Sequence, residues 1–201
     1  MLVFDSKKLL DGYTKRFGTL TNDLVDAFTF LFGKISTDPR FADTDTDRRK
    51  LAYCLATFKW ETAHTMRPID ERGGDAYFNK RYGPQTNVGK MLGNTKPGDG
   101  ALFHGRGYVQ ITGRNNYAKA KKLTGVDLLS GPNRAKEPEL AYQIAIQGMV
   151  DGWFTGKKLS NYFFGDTADY LNARRMINGL DQAEKIADIA RSYSEILREA
   201  K

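Results

Sequence analysis

The stretch Phe103–Tyr117, FHGRGYVQITGRNNY, decides how the chain is read, because it breaks the pattern on either side of it. From Tyr108 to Thr112 the side chains alternate, as they do along a β-strand. That period sends Val109 and Ile111 to one face and Tyr108, Gln110 and Thr112 to the other. The apolar pair anchors the strand. An amide beside a hydroxyl on the opposite face can hold a water or a ligand hydroxyl. Gly105 and Gly107 leave room for a ligand or a second backbone. An edge strand with a solvated face would explain the alternation, but not the glycines or Asn115, Asn116 and Tyr117.

Outward from this stretch the chain is mostly helical. Residues 21–35 place Leu24, Phe28, Leu31 and Ile35 at helical spacing behind a Thr21 or Asn22 cap. Residues 46–63 carry Leu51, Leu55 and Phe58 on one stripe. Pro138 suits the first turn of a helix running to about Phe154. Its stripe of Ala141, Ile144, Ala145, Gly148 and Met149 is rich in small residues and predicts close packing. A further helix is expected over 166–178, ended by Gly179. The last helix is expected to open with an Asp181–Glu184 capping box and to bury Ile186, Ile189, Tyr193 and Leu197. Between Arg81 and His104 prolines and glycines interrupt the periodicity, so a long functional or disordered loop is expected there. With no repeat and no linker, residues 1–201 read as one domain.

Composition bounds the partners. The chain has 201 residues, of which 40% are hydrophobic and 27% charged, a globular rather than disordered balance. No apolar run reaches the roughly 20 residues that span a bilayer. The N-terminus, broken by Asp5, Lys7, Lys8 and Asp11, does not read as a secretory signal, so synthesis and folding in a cytoplasm are expected. The one cysteine, Cys54, reads as a small buried residue. A net charge of +7 favours a polyanionic partner such as nucleic acid, an anionic membrane surface or a bacterial envelope. No helix carries the basic face that groove contacts need, which argues against nucleic acid.

The candidate chemistry narrows to carboxylates. His64 and His104 are too far apart for a paired metal motif, no cofactor loop is present, and neither metal nor cofactor is expected. Glu61 lies beside the Leu51–Leu55–Phe58 stripe, where desolvation raises a carboxyl pKa toward that of a general acid. Pairing with Arg67 or Arg72 at a helix end explains the same position equally well. Asp70, Glu71 and Asp75 follow beyond Pro68.

The segments Gly105-Arg106-Gly107, Gln110-Ile111-Thr112 and Asn116-Tyr117 together resemble the signature of the family 19 glycoside hydrolases, the chitinase and phage-endolysin superfamily. Glu61-Thr62 and Ile177-Asn178-Gly179 resemble two further pieces of that pattern in the same order. Trp60 stands where the family commonly has His, and the disulfides of the plant enzymes are absent. The resemblance implies a mainly α, lysozyme-like fold with a small β-hairpin or sheet beside an active-site cleft. It implies an inverting mechanism in which Glu61 is the general acid, and a second carboxylate about 6.5–9.5 Å away activates water. Ile69-Asp70-Glu71 supplies that carboxylate as Glu71, with Asp70 as the alternative. Gln110 and Thr112 would position the water. Tyr108, Asn116 and Asn178 would meet the sugar, Tyr117 would either do so or lie in the core, and Arg67 and Arg72 would either hold the second carboxylate ionised or form surface salt bridges.

The expected activity is cleavage of β-1,4 links in bacterial peptidoglycan by a monomeric phage-type endolysin or autolysin, reaching the wall after holin release or lysis. A chitinase acting on poly-N-acetylglucosamine and a non-catalytic glycan-binding or virion structural protein of the same fold are the alternatives.

Overall fold

The computed structural model describes all residues from Met1 to Lys201. Nine α-helices and four two-residue strands follow in order. These are α1 (Ser6–Phe17), α2 (Asn22–Thr37), α3 (Asp45–Glu61), β1 (Ile69–Asp70) and α4 (Asp75–Tyr82). Next come α5 (Asn87–Met91), α6 (Asp99–Leu102), β2 (Arg106–Gly107), α7 (Arg114–Thr124) and α8 (Pro138–Asp151). The chain closes with β3 (Phe163–Phe164), β4 (Thr167–Ala168) and α9 (Ala183–Glu199). The architecture is mainly α, as expected. The residues gather into two compact units: Met1–Met66 with Gly148–Lys201, and Arg67–Gln147. No helix is long and apolar enough to cross a membrane.

The first unit is built on α3. Thr44 caps it by accepting from the Asp47 N–H, and it runs to Glu61, two residues short of the expected end. Its burial exceeds one stripe: every residue from Leu51 to Lys59 is buried. A helix with no solvent face lies inside a core rather than on it. Cys54 sits there fully enclosed, and burial pushes its thiol pKa up. α9 packs along α3, burying Ile186, Ala190, Tyr193 and Leu197. α1 closes on α9, where Gly12 packs so near Ile196 that an added Cβ would lie 3.1 Å from its side chain. The Asp5 N–H donates to the Ala200 carbonyl at 2.8 Å and ties the two chain ends together.

Three expectations fail in this unit. Residues 166–178 do not form an α-helix. Gly165, at φ +50°, and Asp166 instead turn a hairpin that pairs Phe163 with Ala168 and Phe164 with Thr167. A 3-10 turn over Asn172–Met176 follows, so Gly179 ends no α-helix. The Asp181 capping box is absent, because α9 starts at Ala183 with Gln182 left-handed before it. The Asp181 carbonyl is held by Arg174 Nε at 3.0 Å, which fixes the chain before the helix. Ile189 is half-buried rather than buried.

The second unit uses polar anchors where the sequence lacks periodicity. The expected loop over 81–104 contains α5 and α6 and the end of α4. Asp99, buried, accepts from the Thr95 and Lys96 N–H groups and pairs with Arg114 Nε at 2.9 Å. Asn94 donates to the Tyr82 carbonyl at 2.7 Å and accepts from the Arg114 N–H at 2.9 Å. Helix α7 ends at a left-handed Gly125. Helix α8 opens at Pro138 as expected and stops at Asp151, before Gly152 at φ +75°. The Phe154 ring then folds back against Gly148, where an added Cβ would lie 2.3 Å from it. That contact accounts for part of the small-residue stripe.

Lys59 is the costly residue of the first unit. Only 6% exposed, it has no carboxylate partner and donates to the Tyr13 hydroxyl at 2.6 Å, 4.7 Å from the ring centroids of Tyr13 and Phe17. Burial lowers its pKa from 10.5 to about 8. Between these values the unfolded chain binds more protons than the folded one. Stability should therefore rise as pH increases from about 8 to 10.5 and gain nothing from Lys59 below that window. Urea melts across pH 7–11 check this against Lys59→Met, which should lose the alkaline gain. Parallel pH profiles would mean that Lys59 is not desolvated.

Candidate functional site

The candidate residues fall into two groups, one in each unit. In the first unit Glu61 is the last residue of α3, where the buried helix ends and side chains regain solvent. Its side chain is 17% exposed and pairs with Arg174 at 2.6 Å. Neither Arg67 nor Arg72 takes that place. Arg174 is buried on the 3-10 turn, 113 residues further along the chain, with Nε held by the Asp181 carbonyl. Asn178 is exposed, and its N–H donates to the Arg174 carbonyl at 3.0 Å. Glu61, Arg174 and Asn178 are thus brought together by one turn.

The chain leaves α3 by an unusual path. Ala63, His64 and Met66 all have positive φ, at 50°, 67° and 55°, in a region costly for residues with a Cβ. Thr62, fully buried, secures the turn: its hydroxyl donates to the Phe58 carbonyl and accepts from the Met66 N–H. His64 therefore does not continue the helix one turn beyond Glu61. Its ring meets Trp60 edge-on at 6.1 Å, and burial together with the Lys59 charge lowers its pKa.

In the second unit the stretch 106–112 corrects the strand reading. Only Arg106–Gly107 is extended, pairing with Ile69–Asp70 in the register Ile69 to Gly107 and Asp70 to Arg106. The chain then turns through Tyr108–Gln110, and Arg106 and Ile111 exchange backbone hydrogen bonds of 3.2 and 2.9 Å. Gly107 at φ +89° and Gln110 at φ +54° make that turn possible. The alternation consequently fails: Tyr108, Val109 and Ile111 are all buried, and Tyr108 shares no face with Gln110 and Thr112.

Glu71 follows β1 directly. Its N–H donates to the Gly105 carbonyl at 2.8 Å, and its Oε2 accepts from the Gly105 N–H at 3.1 Å. Its Oε1 accepts from the Tyr82 hydroxyl at 2.8 Å, with Arg81 at 3.8 Å. Burial, and then this bond to Glu71, push the Tyr82 pKa up, which keeps the phenol protonated as a donor. Gln110 Nε2 donates to the Ile69 and Gly107 carbonyls, each at 3.1 Å. Gly105 has no Cβ because one would lie 3.0 Å from both Gln110 Oε1 and Glu71 Oε2. That glycine makes room for two side chains of the site, where the sequence suggests a ligand. Gly107 lies close to the Ala135 carbonyl for the same steric reason.

The remaining residues form a chain of backbone contacts. The Thr112 hydroxyl donates to the Gln110 carbonyl at 3.0 Å, and Asn116 Nδ2 donates to the Thr112 carbonyl at 2.9 Å. Tyr117 is core: fully enclosed, it donates to the His104 carbonyl at 2.9 Å and accepts from Arg106 at 2.8 Å. Its pKa is pushed up to about 12, chiefly by burial. Asp70 is bound by His104 at 3.3 Å, Arg106 at 3.2 Å and Lys136. Desolvation opposes its ionisation, but the Lys136 and His104 hydrogen bonds and nearby cationic charge outweigh that, holding its pKa below the usual range. Asp70 is held by Arg106, Lys136 and the His104 ring, whereas Glu71 is held by two neutral donors, with the Arg81 guanidinium farther off at 3.8 Å. Arg174, Tyr82 and Lys136 escape a reading by motif, since each acts across a distance in sequence that no local spacing records, and the motif that contains Arg106 does not show its contact with Asp70.

No family model matches the chain. A 155-residue alignment covering 73% of it is 27% identical to acidic endochitinase SP2 of Beta vulgaris and spans 49% of that protein. The chain thus spans about half the length of this curated relative. Chitinase C of Streptomyces griseus HUT6037 superposes with a TM-score of 0.65 at 17% identity, over 97% of this chain and 92% of that one. A bacterial family 19 chitinase superposes with a TM-score of 0.59 at 16% identity, over 96% and 94%. The fold is of the mainly α, lysozyme-like class. More narrowly, it is the fold of the family 19 chitinases.

The crowding at Gly105 can be tested without an activity assay. Gly105→Ala should destabilise the chain by about 1–3 kcal/mol through overpacking. Adding Gln110→Ala removes one of the obstructing atoms, so the double variant should be more stable than the sum of the two single changes. Denaturant melts of the three variants measure this, and simple additivity would show that the amide does not crowd Gly105.

Proposed function

We propose that the chain hydrolyses β-1,4-glycosidic bonds of a chitin-type glycan, with Glu61 as general acid and Glu71 as general base. The observation that carries this reading is the state of Glu71. It is partly exposed yet oriented by a phenol and a backbone amide at hydrogen-bond distance, with the exposed Arg81 guanidinium no nearer than 3.8 Å and Arg106 and Lys136 engaged by Asp70. A carboxylate so held is a positioned proton acceptor rather than a structural ion pair. The endochitinase and chitinase names of the similar proteins support the substrate class.

In this reading Glu61 gives its proton to the glycosidic oxygen as the bond to the anomeric carbon breaks. Glu71 takes a proton from a water whose oxygen bonds that carbon from the opposite face, and the product is the α-anomer. Arg174 orients Glu61. Gln110 Oε1, set by the two bonds its Nε2 makes, and the Thr112 oxygen guide the water as acceptors. Asn116 and Asn178 meet sugar substituents, while the buried Tyr108 and Tyr117 act by shaping the turn.

Peptidoglycan is the second reading, favoured by the net charge of +7, which suits an anionic wall. In that case the protein is a monomeric lytic enzyme, made in a cytoplasm and reaching the wall at lysis.

Wild type, Glu61→Gln and Glu71→Gln should be compared on chito-oligosaccharides and on peptidoglycan suspensions. Each variant should lose about 10²–10⁴-fold in turnover with little change in melting temperature. Proton NMR of the first products should show the α-anomer. A Glu61→Gln protein of near wild-type rate would exclude the acid. Clearing of peptidoglycan without release of chitin fragments would favour the second reading. An inert wild type that binds either glycan would mark a non-catalytic protein.

A further inference from the structure

A cavity of about 370 Å³ opens on the first unit, far along α3 from Glu61. Arg48, Arg49, Arg191 and Arg198 line it, together with Tyr170 and Ser194. Arg49 and Glu61 are twelve residues apart on one helix, so about 18 Å separates the cavity from that carboxylate.

Its charges are unevenly balanced. Two carboxylates, Asp45 and Glu195, also reach the cavity, but each is engaged: Asp45 by Lys201 at 2.6 Å and Glu195 by Arg16 at 3.3 Å. Arg191 pairs with Asp188 at 2.6 Å. Arg49 donates to the Gly165 carbonyl at 3.0 Å and acts on Asp45 and Tyr170 only through longer-range charge, as Arg198 acts on Glu199. Arg48 is 3% exposed; it bonds the Val3 and Leu197 carbonyls and Asp43, and its Nε is buried without a partner. Tyr170 and Ser194 add hydroxyl groups to the wall. Four guanidinium groups thus converge where two have no carboxylate of their own. Planar guanidinium forks match tetrahedral and planar oxyanions, phosphate above all.

We propose that this cavity is a phosphate-binding site that takes a phosphodiester group of an acidic polyol-phosphate polymer. A nucleic acid fits less well. Tyr170, the one aromatic at the wall, is only 8% exposed and offers no free face for a base to stack on. A polymer held here is bound away from Glu61, so the site would retain the protein on a phosphate-bearing surface without occupying the carboxylates. The proposal does not depend on hydrolysis, and binding tests it separately.

Calorimetric titrations of the full chain with glycerol-phosphate oligomers, inorganic phosphate and a single-stranded DNA of equal charge provide the test. The oligomer should bind at least about tenfold more tightly than inorganic phosphate, with an affinity that falls as salt rises. Arg49→Gln with Arg198→Gln should weaken oligomer binding by about tenfold or more, since charge-assisted hydrogen bonds are lost. Its melting temperature and its rate on neutral chito-oligosaccharides should stay those of the wild type. Oligomer binding unaffected by the double substitution would overturn the site. Equal affinity for inorganic phosphate would overturn the polymer, and tighter binding of DNA would assign the cavity to nucleic acid instead.

Discussion

A helix with no solvent side sets the terms for the first unit. From Leu51 to Lys59 every residue of α3 is enclosed, so polar chemistry on this helix is confined to its ends or must be satisfied inside. Lys59 shows the second solution, with its ammonium between two aromatic rings and a phenol. Arg48 and Glu61 show the first. At one end Arg48 gathers backbone carbonyls and opens onto a basic cavity; at the other Glu61 leaves the core beside Arg174. The same burial that stabilises the helix gives both termini a rigid base. A side chain carried on a rigid element holds its position better than one on a loop.

The second unit has no such helix, and it orders itself around buried polar groups. Arg106 is the main one. Its guanidinium reaches the Leu102 carbonyl, the Tyr117 hydroxyl and Asp70, so one side chain joins β1, β2 and α7. Asp70 is thereby fixed, and Glu71, its neighbour, is aimed at Gly105 and Tyr82. The Asp99–Arg114 pair and Asn94 do the same for the short helices α5 and α6. Removing one partner from such a network leaves the other buried and unpaired, which costs more than the pair itself contributes.

This difference between the units explains what was legible in the sequence. Helices α2, α3, α8 and α9 show in the spacing of their apolar residues, because apolar burial is what stabilises them. Helix α1 carries its signals, the Asp5 cap and the Leu9–Tyr13 pair, but these are few beside its charges. The Tyr108–Thr112 alternation is real in composition and misleading in conformation, since Gly107 and Gln110 enter left-handed backbone and turn the strand over. Glu61 and Glu71 can be picked out by motif resemblance. Their holders cannot, because an ion pair between Glu61 and Arg174 leaves no trace at helical or strand spacing. Glycines signal that space is needed without saying for what, and at Gly105 the occupants are the chain's own Glu71 and Gln110.

The pairing of α3 with α9 also has a consequence for synthesis. Helix α3 ends at residue 61 and α9 begins at residue 183, with the whole Arg67–Gln147 unit between them. A ribosome adding about 5–20 residues per second makes the first helix roughly 6–25 s before its partner exists. During that interval the helix that the folded protein buries from Leu51 to Lys59 has no α9 to cover it, whereas residues 67–147 are already complete. The hazard in making this protein therefore falls on a nascent chain with one finished unit and one exposed helix, the stage at which a chaperone that binds apolar segments has most to hold.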